Sequence, residues 1–530
     1  MSQDARGRVE SLKDEGNKLF IAKKFDAAIS KYSEAIALDD QNPILFANRA
    51  ACRLSLRRYM DAATDAAKAT QLDPNYSKAW ARLGTAYDLK PTYGFARQEL
   101  RQFNQSEKCW NRALETLPRE NLTEAELKQK DQYEKNYTAS KRSMEDMKNE
   151  VNDRVMRTTA GPNNQMPSVR ASEMIAQLRR ERKYDSSAWA IASAYDQFQE
   201  GTRQMDDVRT QGIMAMFNLQ SIENMTNAIL CDRRVLQYAD SAWVNKVNRQ
   251  IRGETACTGA WTDAGPAALM QEANNRRVER GWDHVRQAVG TTIRCWILFG
   301  HLQGGLNQNP ATELEFLGRA LEIMRWGRRE WSGISTENRG VIFLDSFMHG
   351  VQNLHMDALM KVASRERDVG KKLQRLEELQ EEADEVINSI NGNPIPPRES
   401  DPSFSAAYYY YPRGYAYSMK GYYYREKAKL TTDQAEAKRL MREAGKAYMS
   451  ASENFSEDDE HHAWFISIAL DNMVLGSGPP RDSMDCLTKL KAALPKIQKI
   501  WAKSAMALQG RDAMIQTQFK HEAAIRRELA

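Results

Sequence analysis

The strongest constraint in this sequence is an internal repeat close to its first residue. Three segments that begin at Val9, Pro43 and Ser77 align with one another at a constant spacing of 34 residues. A repeat of this length is typical of paired antiparallel helices that stack side by side. Within each segment, small and large residues recur at helical spacing, as Gly16 and Tyr32 do in the first. We therefore expect three stacked helical hairpins in this part of the chain.

The third repeat is longer than the other two. Phe103 matches a repeat position expected near residue 93, so residues 90–102 carry about ten extra residues in the turn between the two helices. After this repeat, residues 123–151 are polar, yet apolar residues such as Tyr133 recur on one helical face. A stack of repeats needs a terminal helix with one solvated face. We expect residues 123–151 to form this capping helix.

The rest of the chain is also predicted to be helical, with less regular repeats. Linkers rich in Gly, Pro and Asn lie at residues 157–167 and 391–404. Residues 415–451 have the pattern of a degenerate helix pair, and a second pair is predicted at residues 463–495. The predicted fold class is all-α, with an N-terminal superhelix of three repeats followed by irregular helical hairpins. Three domains are predicted, at residues 1–151, 168–390 and 404–530.

Composition supports a helical fold and disfavours several functions. Only 28 Gly and 16 Pro occur among 530 residues, which argues against a many-turned β fold. The 76 Lys+Arg and 71 Asp+Glu residues give a net charge of +5, too balanced for a dedicated nucleic-acid binder. Apolar runs fall short of the roughly 20 residues of a membrane span, and the charged N-terminus lacks a secretory signal. We expect a cytoplasmic or nuclear protein without membrane contact, its six cysteines being free thiols.

Five polar residues occupy corresponding faces of the first helices of the three repeats. They are Lys13, Asn17, Asn48, Lys78 and Arg82. Lys13 and Asn17 are four residues apart, as are Lys78 and Arg82, so each pair shares one helical face. Together the five residues offer three cations and two amides. These groups suit a C-terminal carboxylate beside an acidic side chain, because they donate charge-assisted bonds to oxygens and amide bonds to a peptide backbone.

The motifs Lys13-Asp-Glu-Gly-Asn17, Asn48-Arg-Ala-Ala and Lys78-Ala-Trp-Ala-Arg82 resemble the dicarboxylate clamp of tetratricopeptide co-chaperones. The resemblance covers the three repeats and the following helix, about a quarter to a third of the chain. It implies that the groove binds Glu-Glu-Val-Asp tails of the seventy- and ninety-kilodalton heat-shock chaperones. It also implies apolar contacts to the peptide from Phe20 and Ala51. The longer turn in repeat 3 departs from the family and bears on which upstream peptide residues are read.

Two other classes of function stay open from the sequence. One is a helical-repeat scaffold whose partners are unrelated to chaperones, and the other is an enzyme with an unrecognised active site in residues 168–390. The sequence has no nucleophile elbow, kinase signature or dinucleotide fingerprint, and no recognised metal-ligand spacing. We therefore predict a non-enzymatic adaptor without catalytic residues, metal or cofactor. In this hypothesis the C-terminal region binds a client protein or another partner.

Overall fold

The computed structural model describes residues 3–56, 58–89, 96–118, 122–154, 166–207, 209–211, 214–235, 241–306 and 308–530. Most of these residues are helical, as predicted. The helices are α1 (Gln3–Ile21), α2 (Phe25–Leu38), α3 (Pro43–Ser55), α4 (Tyr59–Leu72), α5 (Ser77–Leu89), α6 (Ala96–Glu115), α7 (Glu124–Arg154), α8 (Pro167–Arg180), α9 (Ala188–Gln204), α10 (Ser221–Asp232), α11 (Ser241–Thr258), α12 (Pro266–Arg280), α13 (Trp282–Gly305), α14 (Pro310–Glu330), α15 (Thr336–Arg339), α16 (Asp345–Arg365), α17 (Val369–Asn391), α18 (Pro402–Ser405), α19 (Tyr411–Leu430), α20 (Gln434–Ser452), α21 (Glu460–Leu475), α22 (Pro480–Trp501), α23 (Ala505–Leu508), α24 (Arg511–Thr517) and α25 (Glu522–Leu529).

One small element departs from the predicted all-α class. Strands β1 (Arg209–Gln211) and β2 (Met214–Met216) pair antiparallel, with Arg209 opposite Met216. Three residues per strand are too few for an alternating apolar pattern to stand out in the sequence. The fold is otherwise helical, and no described helix combines the length and apolarity needed to cross a bilayer.

The chain divides into two compact units, which differ from the three predicted domains. The first comprises Met1–Thr158 and Trp261–Val285, and the second comprises Thr159–Ala260 and Arg286–Ala530. The difference at residues 261–285 arises because α12 packs against α4 within the first unit. At the start of α12, a Cβ atom on Gly265 would lie only 1.9 Å from Asp61 Oδ1, so the two segments touch closely.

The first unit contains the three predicted helical hairpins: α1 with α2, α3 with α4, and α5 with α6. In the first and third hairpins, an aromatic ring of the second helix packs on a glycine of the first helix. A Cβ atom on Gly16 would lie 2.7 Å from Tyr32 Cε1, and one on Gly84 would lie 2.8 Å from Trp110 Cε2. Any larger residue at these glycines would force the paired helices apart.

The third hairpin differs from the prediction in one respect. Residues 90–95, the first half of the expected long turn, lie outside the described residues. Residues 96–102 are helical, because α6 begins at Ala96 and has 20 residues, whereas α2 has 14. The part of the extra sequence that the structure describes therefore lengthens the second helix of the repeat. Its polar composition, with Gln and Arg rather than Gly or Pro, is compatible with a helix.

The capping helix α7 is attached to the third hairpin through Asp88 on α5. The Oδ1 atom of Asp88 accepts hydrogen bonds from Ser106 Oγ on α6 and Ser140 Oγ on α7, each at 2.5 Å. The Oδ2 atom accepts a third bond from Trp110 Nε1 at 2.7 Å. One carboxylate thus joins three helices, as the capping role predicted for residues 123–151 requires.

The second unit has one extensive core to which distant parts of the sequence contribute. Trp189 and Ile191 on α9 share a buried cluster with Tyr411 on α19 and Leu490 on α22. Apart from residues 261–285, the predicted ranges 168–390 and 404–530 therefore lie in one compact unit. The predicted helix pairs at 415–451 and 463–495 are observed as α19 with α20 and α21 with α22.

A buried ion network crosses the same unit. The Arg234 guanidinium donates to both oxygens of Asp459, at 2.8 and 2.9 Å, and pairs with Asp232 at 2.6 Å. Its Cζ atom also lies 4.0 Å from the centre of the Trp501 ring. Since α21 begins just after Asp459, the network ties the α10 region to the last third of the chain.

Replacing Asp88 with Ala is expected to loosen the capping helix. The change leaves the buried Trp110 N–H without an acceptor and removes both serine contacts, at a cost of about 2–3 kcal/mol in local stability. Limited proteolysis within α7 should be faster in D88A than in the unchanged chain, because cleavage follows local opening. The control is Asp131→Ala, which removes an exposed carboxylate paired with Lys135 on α7 itself. Equal cleavage rates in both variants would contradict the anchoring role of Asp88.

Candidate functional site

The five predicted clamp residues lie on the first helices of the three hairpins. Lys13 and Asn17 are on α1, Asn48 is on α3, and Lys78 and Arg82 are on α5. Their side chains are partly or wholly exposed, so packing does not hide them. Helix α3 contacts both α1 and α5, which places these three helices side by side.

Three of the five residues form a continuous row of hydrogen bonds across the three helices. Asn48 Nδ2 donates to Asn17 Oδ1 at 3.2 Å, and Arg82 Nη1 donates to Asn48 Oδ1 at 3.4 Å. Tyr32 on α2 extends the row, because its hydroxyl donates to Asn17 Oδ1 at 2.8 Å. We call this row, Tyr32–Asn17–Asn48–Arg82, the amide ladder. It brings Asn17, Asn48 and Arg82 together on one surface.

The direction of the ladder decides which groups stay available. The side-chain oxygens of Asn17 and Asn48 both accept bonds within the ladder. Among the described residues, no partner is recorded for the Asn17 amide N–H groups or for the remaining N–H groups of Arg82. The ladder therefore occupies acceptors and leaves donors, a surface suited to anionic oxygen atoms.

Lys13 and Lys78 stand one helical turn from the ladder, on α1 and α5. The Lys13 ammonium donates to Glu10, also on α1, and its side chain is 20% exposed. Lys78 is exposed, and its charge contributes to lowering the pKa of Glu126 on α7, although the largest cause is the hydrogen bond of Glu126 with Thr123. Each lysine is thus near an exposed carboxylate that an incoming anion can replace.

Tyr32 in the ladder and the thiol of Cys52 stay uncharged at neutral pH. Burial raises the pKa of the Tyr32 hydroxyl to about 12 and that of the Cys52 thiol to about 11, while the positive charge of Arg82 opposes both shifts. Tyr32 therefore remains a hydrogen-bond donor, which keeps the Asn17 oxygen occupied. The guanidinium of Arg82 is the charged member of the ladder.

The two predicted apolar contacts have different surroundings. Phe20 is half-buried on α1, and its ring packs edge-on against Phe25 with 5.6 Å between ring centres. Ala51 is half-buried on α3, three residues beyond Asn48. Both thus retain some accessible apolar surface. Their predicted role in peptide contact stays a prediction.

Some residues that support the site were not identified from the sequence. The Tyr32 hydroxyl is one, because the repeat pattern marks Tyr32 only as a packing residue. Asp65 is another: this buried carboxylate on α4 binds Arg49 at 2.8 Å and Arg53 at 2.7 Å, both on α3. The sequence shows charged residues at positions 49, 53 and 65. It does not indicate whether they form an internal ion cluster or a solvent-exposed face.

Three histidines of the second unit contact neighbouring side chains. His349 Nε2 lies 2.9 Å from Ser389 Oγ, and His355 Nδ1 lies 2.7 Å from Glu382 Oε2. His461 Nδ1 lies 2.6 Å from Arg234 Nη1. Among the residues that the structure describes, no three His, Cys, Asp or Glu residues are grouped so as to hold a metal ion.

Fold and site together define the first unit as a three-repeat tetratricopeptide domain with a capping helix. Its sequence is similar to those of tetratricopeptide co-chaperones. The chain is 46% identical over 77 residues to a protein described as heat shock protein sti1 homolog from Schizosaccharomyces pombe, a match that covers 14% of this chain and 13% of that protein. It is 41% identical over 78 residues to the Hsp70-Hsp90 organizing protein of Triticum aestivum, covering 15% of this chain and 13% of that protein.

One solved structure with detectable similarity is the Sgt2 tetratricopeptide domain from Aspergillus fumigatus. It is 27% identical, the match covers 29% of this chain and 89% of that domain, and the TM-score is 0.22. No family model matches the chain. The chain thus spans only a small part of the length of the two curated relatives.

Replacing Tyr32 with Phe is expected to weaken the ladder without disturbing the helix pair. The ring still packs on Gly16, but Asn17 loses one of its two hydrogen bonds, which costs about 1 kcal/mol. Hydrogen–deuterium exchange should show faster exchange in α1 and α2. The matched control is Tyr137→Phe, whose hydroxyl lies 3.4 Å from Glu107 and contributes little. Unchanged exchange in the Tyr32 variant would mean that the hydroxyl does not support Asn17.

Proposed function

We propose that the groove of the first unit binds acidic C-terminal tails of heat-shock chaperones of the seventy- and ninety-kilodalton classes. In this proposal Lys13, Asn17, Asn48, Lys78 and Arg82 form a dicarboxylate clamp. The protein then acts as a cytoplasmic adaptor, or co-chaperone, rather than as an enzyme. The observation that carries the proposal is the amide ladder, which joins Asn17, Asn48 and Arg82 across three helices and leaves the Asn17 amide and the remaining Arg82 N–H groups as donors.

The chemistry of a C-terminal tail matches these donors. A peptide that ends in an acidic residue has two carboxylates close together, and it also presents backbone carbonyl groups. Lysine and arginine donate charge-assisted bonds to the carboxylates, each worth about 1.5–3 kcal/mol, while asparagine amides bind the backbone. After the costs of ordering the peptide, several such bonds are consistent with micromolar affinity, about −8 kcal/mol.

A peptide carboxylate has to compete with Glu10 for one of the clamp lysines. Glu10 bonds Lys13 in the free groove, so a peptide carboxylate must take its place. This exchange costs little, because exposed ion pairs contribute only about 0–1 kcal/mol. Phe20 and Ala51 are proposed to add apolar contacts to the peptide, and the longer third hairpin to affect which upstream residues are read.

The names of the relatives support the same assignment. They describe heat-shock and co-chaperone proteins, and one is an Hsp70-Hsp90 organizing protein. The second unit is proposed to bind a client protein or another partner. An adaptor needs binding sites for two different molecules. In this proposal one unit binds a chaperone tail and the other unit binds a second molecule.

Charge reversal within the clamp is expected to abolish tail binding. The double variant Lys78→Glu, Arg82→Ala removes two cations and places a negative charge beside the peptide carboxylates. Fluorescence anisotropy with a labelled peptide that ends in Glu-Glu-Val-Asp should show an affinity loss of more than about a hundredfold. Amidation of the peptide C-terminus should also weaken binding strongly, since it removes the terminal carboxylate.

The control for this experiment is Lys108→Glu. Lys108 is exposed on α6, the second helix of its hairpin, and is outside the proposed clamp. Its reversal changes the net charge of the chain but should leave tail affinity within about twofold. Undiminished binding by the double variant, or equal binding of the amidated peptide, would overturn the clamp. Recovery of other proteins but no heat-shock chaperone from cell extract would favour the scaffold hypothesis.

Tail binding should also weaken as salt concentration rises. The proposed contacts are mainly between exposed charges, which mobile ions screen. Raising the salt concentration from about 50 mM to about 500 mM should lower the affinity by about tenfold, since the screening length then becomes shorter than the spacing of the clamp cations. Anisotropy titrations at several salt concentrations measure this slope. An affinity independent of salt would indicate an apolar binding mode.

A further inference from the structure

The second unit contains a cavity of about 500 Å³. This volume lies in the range of small-molecule binding sites. Its lining comes from four parts of the chain: the start of α10, the end of α11, one face of α13, and α15 with the short helical turn Val341–Phe343. All of these lie in the second unit and within the predicted range 168–390, for which an enzyme was one alternative.

The lining of the cavity includes both apolar and charged side chains. Leu219, Ile222, Val341 and Ile342 supply an apolar wall, and Leu219 and Val341 are 45% and 52% exposed. Exposed aliphatic side chains of this size beside a cavity suit a ligand with an apolar stem. On α13, Gly290 lines the cavity, and a Cβ atom there would meet no atom within 4 Å. The space along α13 is therefore open.

A buried carboxyl group, Glu254 on α11, lines the polar side. The residue is 2% exposed. Its Oε1 atom accepts hydrogen bonds from the backbone N–H of Ile222 at 3.0 Å and from Gln250 Nε2 at 2.8 Å. No hydrogen-bond partner is recorded for its Oε2 atom among the described residues, and Glu254 is one of the residues that line the cavity.

The nearby charges do not neutralise Glu254. Arg294 pairs instead with Glu223 at 2.8 Å, and it also donates to Thr226 and Asn227. Arg286 on α13 donates to the backbone oxygen of Glu337 on α15. Glu254 forms no salt bridge within the described part of the chain, so its charge lacks the partner that buried charges normally have.

We propose that this cavity binds a primary ammonium group on an aliphatic stem, with Glu254 as its counter-ion. The ammonium would donate to Oε2, and the stem would lie along Gly290 against the apolar wall. Either a free aliphatic amine or the lysine side chain of a bound polypeptide has this chemistry. Arg286 and Arg294 also line the cavity, but their guanidinium groups already donate to protein oxygens. A neutral ligand would leave Glu254 without a counter-charge.

Binding of an ammonium group should depend on pH. Burial raises the pKa of Glu254 to about 7, and the charge of Glu223 adds to this shift, while the hydrogen bonds and Arg294 oppose it. The ammonium needs the ionised carboxylate, so its affinity should rise with pH through this range. Between about pH 6 and about pH 8 the rise should be about tenfold. Cys295, the other titratable group that interacts with Glu254, has its pKa raised by burial and stays protonated.

The test is calorimetric titration of the full-length chain with pentylamine, which has a five-carbon stem. We expect binding that strengthens about tenfold between those pH values, and at least tenfold weaker binding of pentanol, which has the same stem without charge. Glu254→Gln should weaken binding by at least about tenfold and remove the pH dependence. Gly290→Leu should block the stem while leaving Glu254 in place. Absent binding, equal binding of pentanol, or unchanged binding by E254Q would overturn the proposal.

A second titration separates the two sources of the ammonium group. A short peptide with one central lysine is compared with the same peptide carrying acetyl-lysine. Binding of the lysine peptide, lost on acetylation, assigns the cavity to a polypeptide side chain. Binding of pentylamine alone assigns it to a free amine. The clamp is in the other unit, so the Lys78→Glu, Arg82→Ala variant should bind pentylamine normally, which keeps this test independent of chaperone binding.

A stability measurement shows whether the Glu254 variant folds. Because the folded pKa of Glu254 lies above its ordinary value of 4.5, its contribution to stability is present at low pH and declines as pH rises toward about 7. The Gln variant cannot ionise, so its melting temperature should decline less over the same range. Loss of amine binding by a variant whose melting temperature at about pH 8 is not below that of the unchanged chain then supports the counter-ion role.

Discussion

The groove depends on how closely the two helices of each hairpin approach. In the first and third hairpins, an aromatic ring on the second helix rests on a glycine of the first, with no room for a Cβ atom between them. In the first hairpin this ring belongs to Tyr32, whose hydroxyl then reaches Asn17. One side chain thus sets the helix spacing and also orients a groove amide. The same packing recurs in the second unit, where a Cβ atom on Gly421 would lie 2.7 Å from Tyr448.

In the first unit, Asp65 and Asp88 lie between packed helices, whereas hydrogen-bond donors remain available on the groove surface. Asp65 binds two arginines inside the second hairpin, and Asp88 accepts three hydrogen bonds inside the third. Asp65 is buried and Asp88 is partly buried, and both are paired or hydrogen-bonded, as burial of a charge demands. The ladder residues instead satisfy one another through their oxygens. The excess of N–H groups on the groove surface is a consequence of that arrangement.

The sequence predicted the first unit well because its repeat has a fixed period. A spacing of 34 residues places Asn48 and Arg82 at the same point of successive hairpins, and they are hydrogen-bonded in the structure. Local spacing of four residues then locates Lys13 and Lys78. The second unit lacks such a period, so its contacts could not be inferred. Glu254 and Ile222 meet through the tertiary fold, and nothing in the residues around either one indicates the other.

The late position of helix α12 in the sequence affects the order in which the first unit folds during synthesis. Although the repeats occupy the first part of the sequence, α4 packs not only against α3 and α5 but also against a helix that begins at Pro266. During synthesis the three hairpins emerge long before this helix does, and domains generally fold as they leave the ribosome. The nascent superhelix must therefore persist with one side of α4 bare while about two hundred further residues are translated. The first unit is thus completed late, although most of it is encoded early.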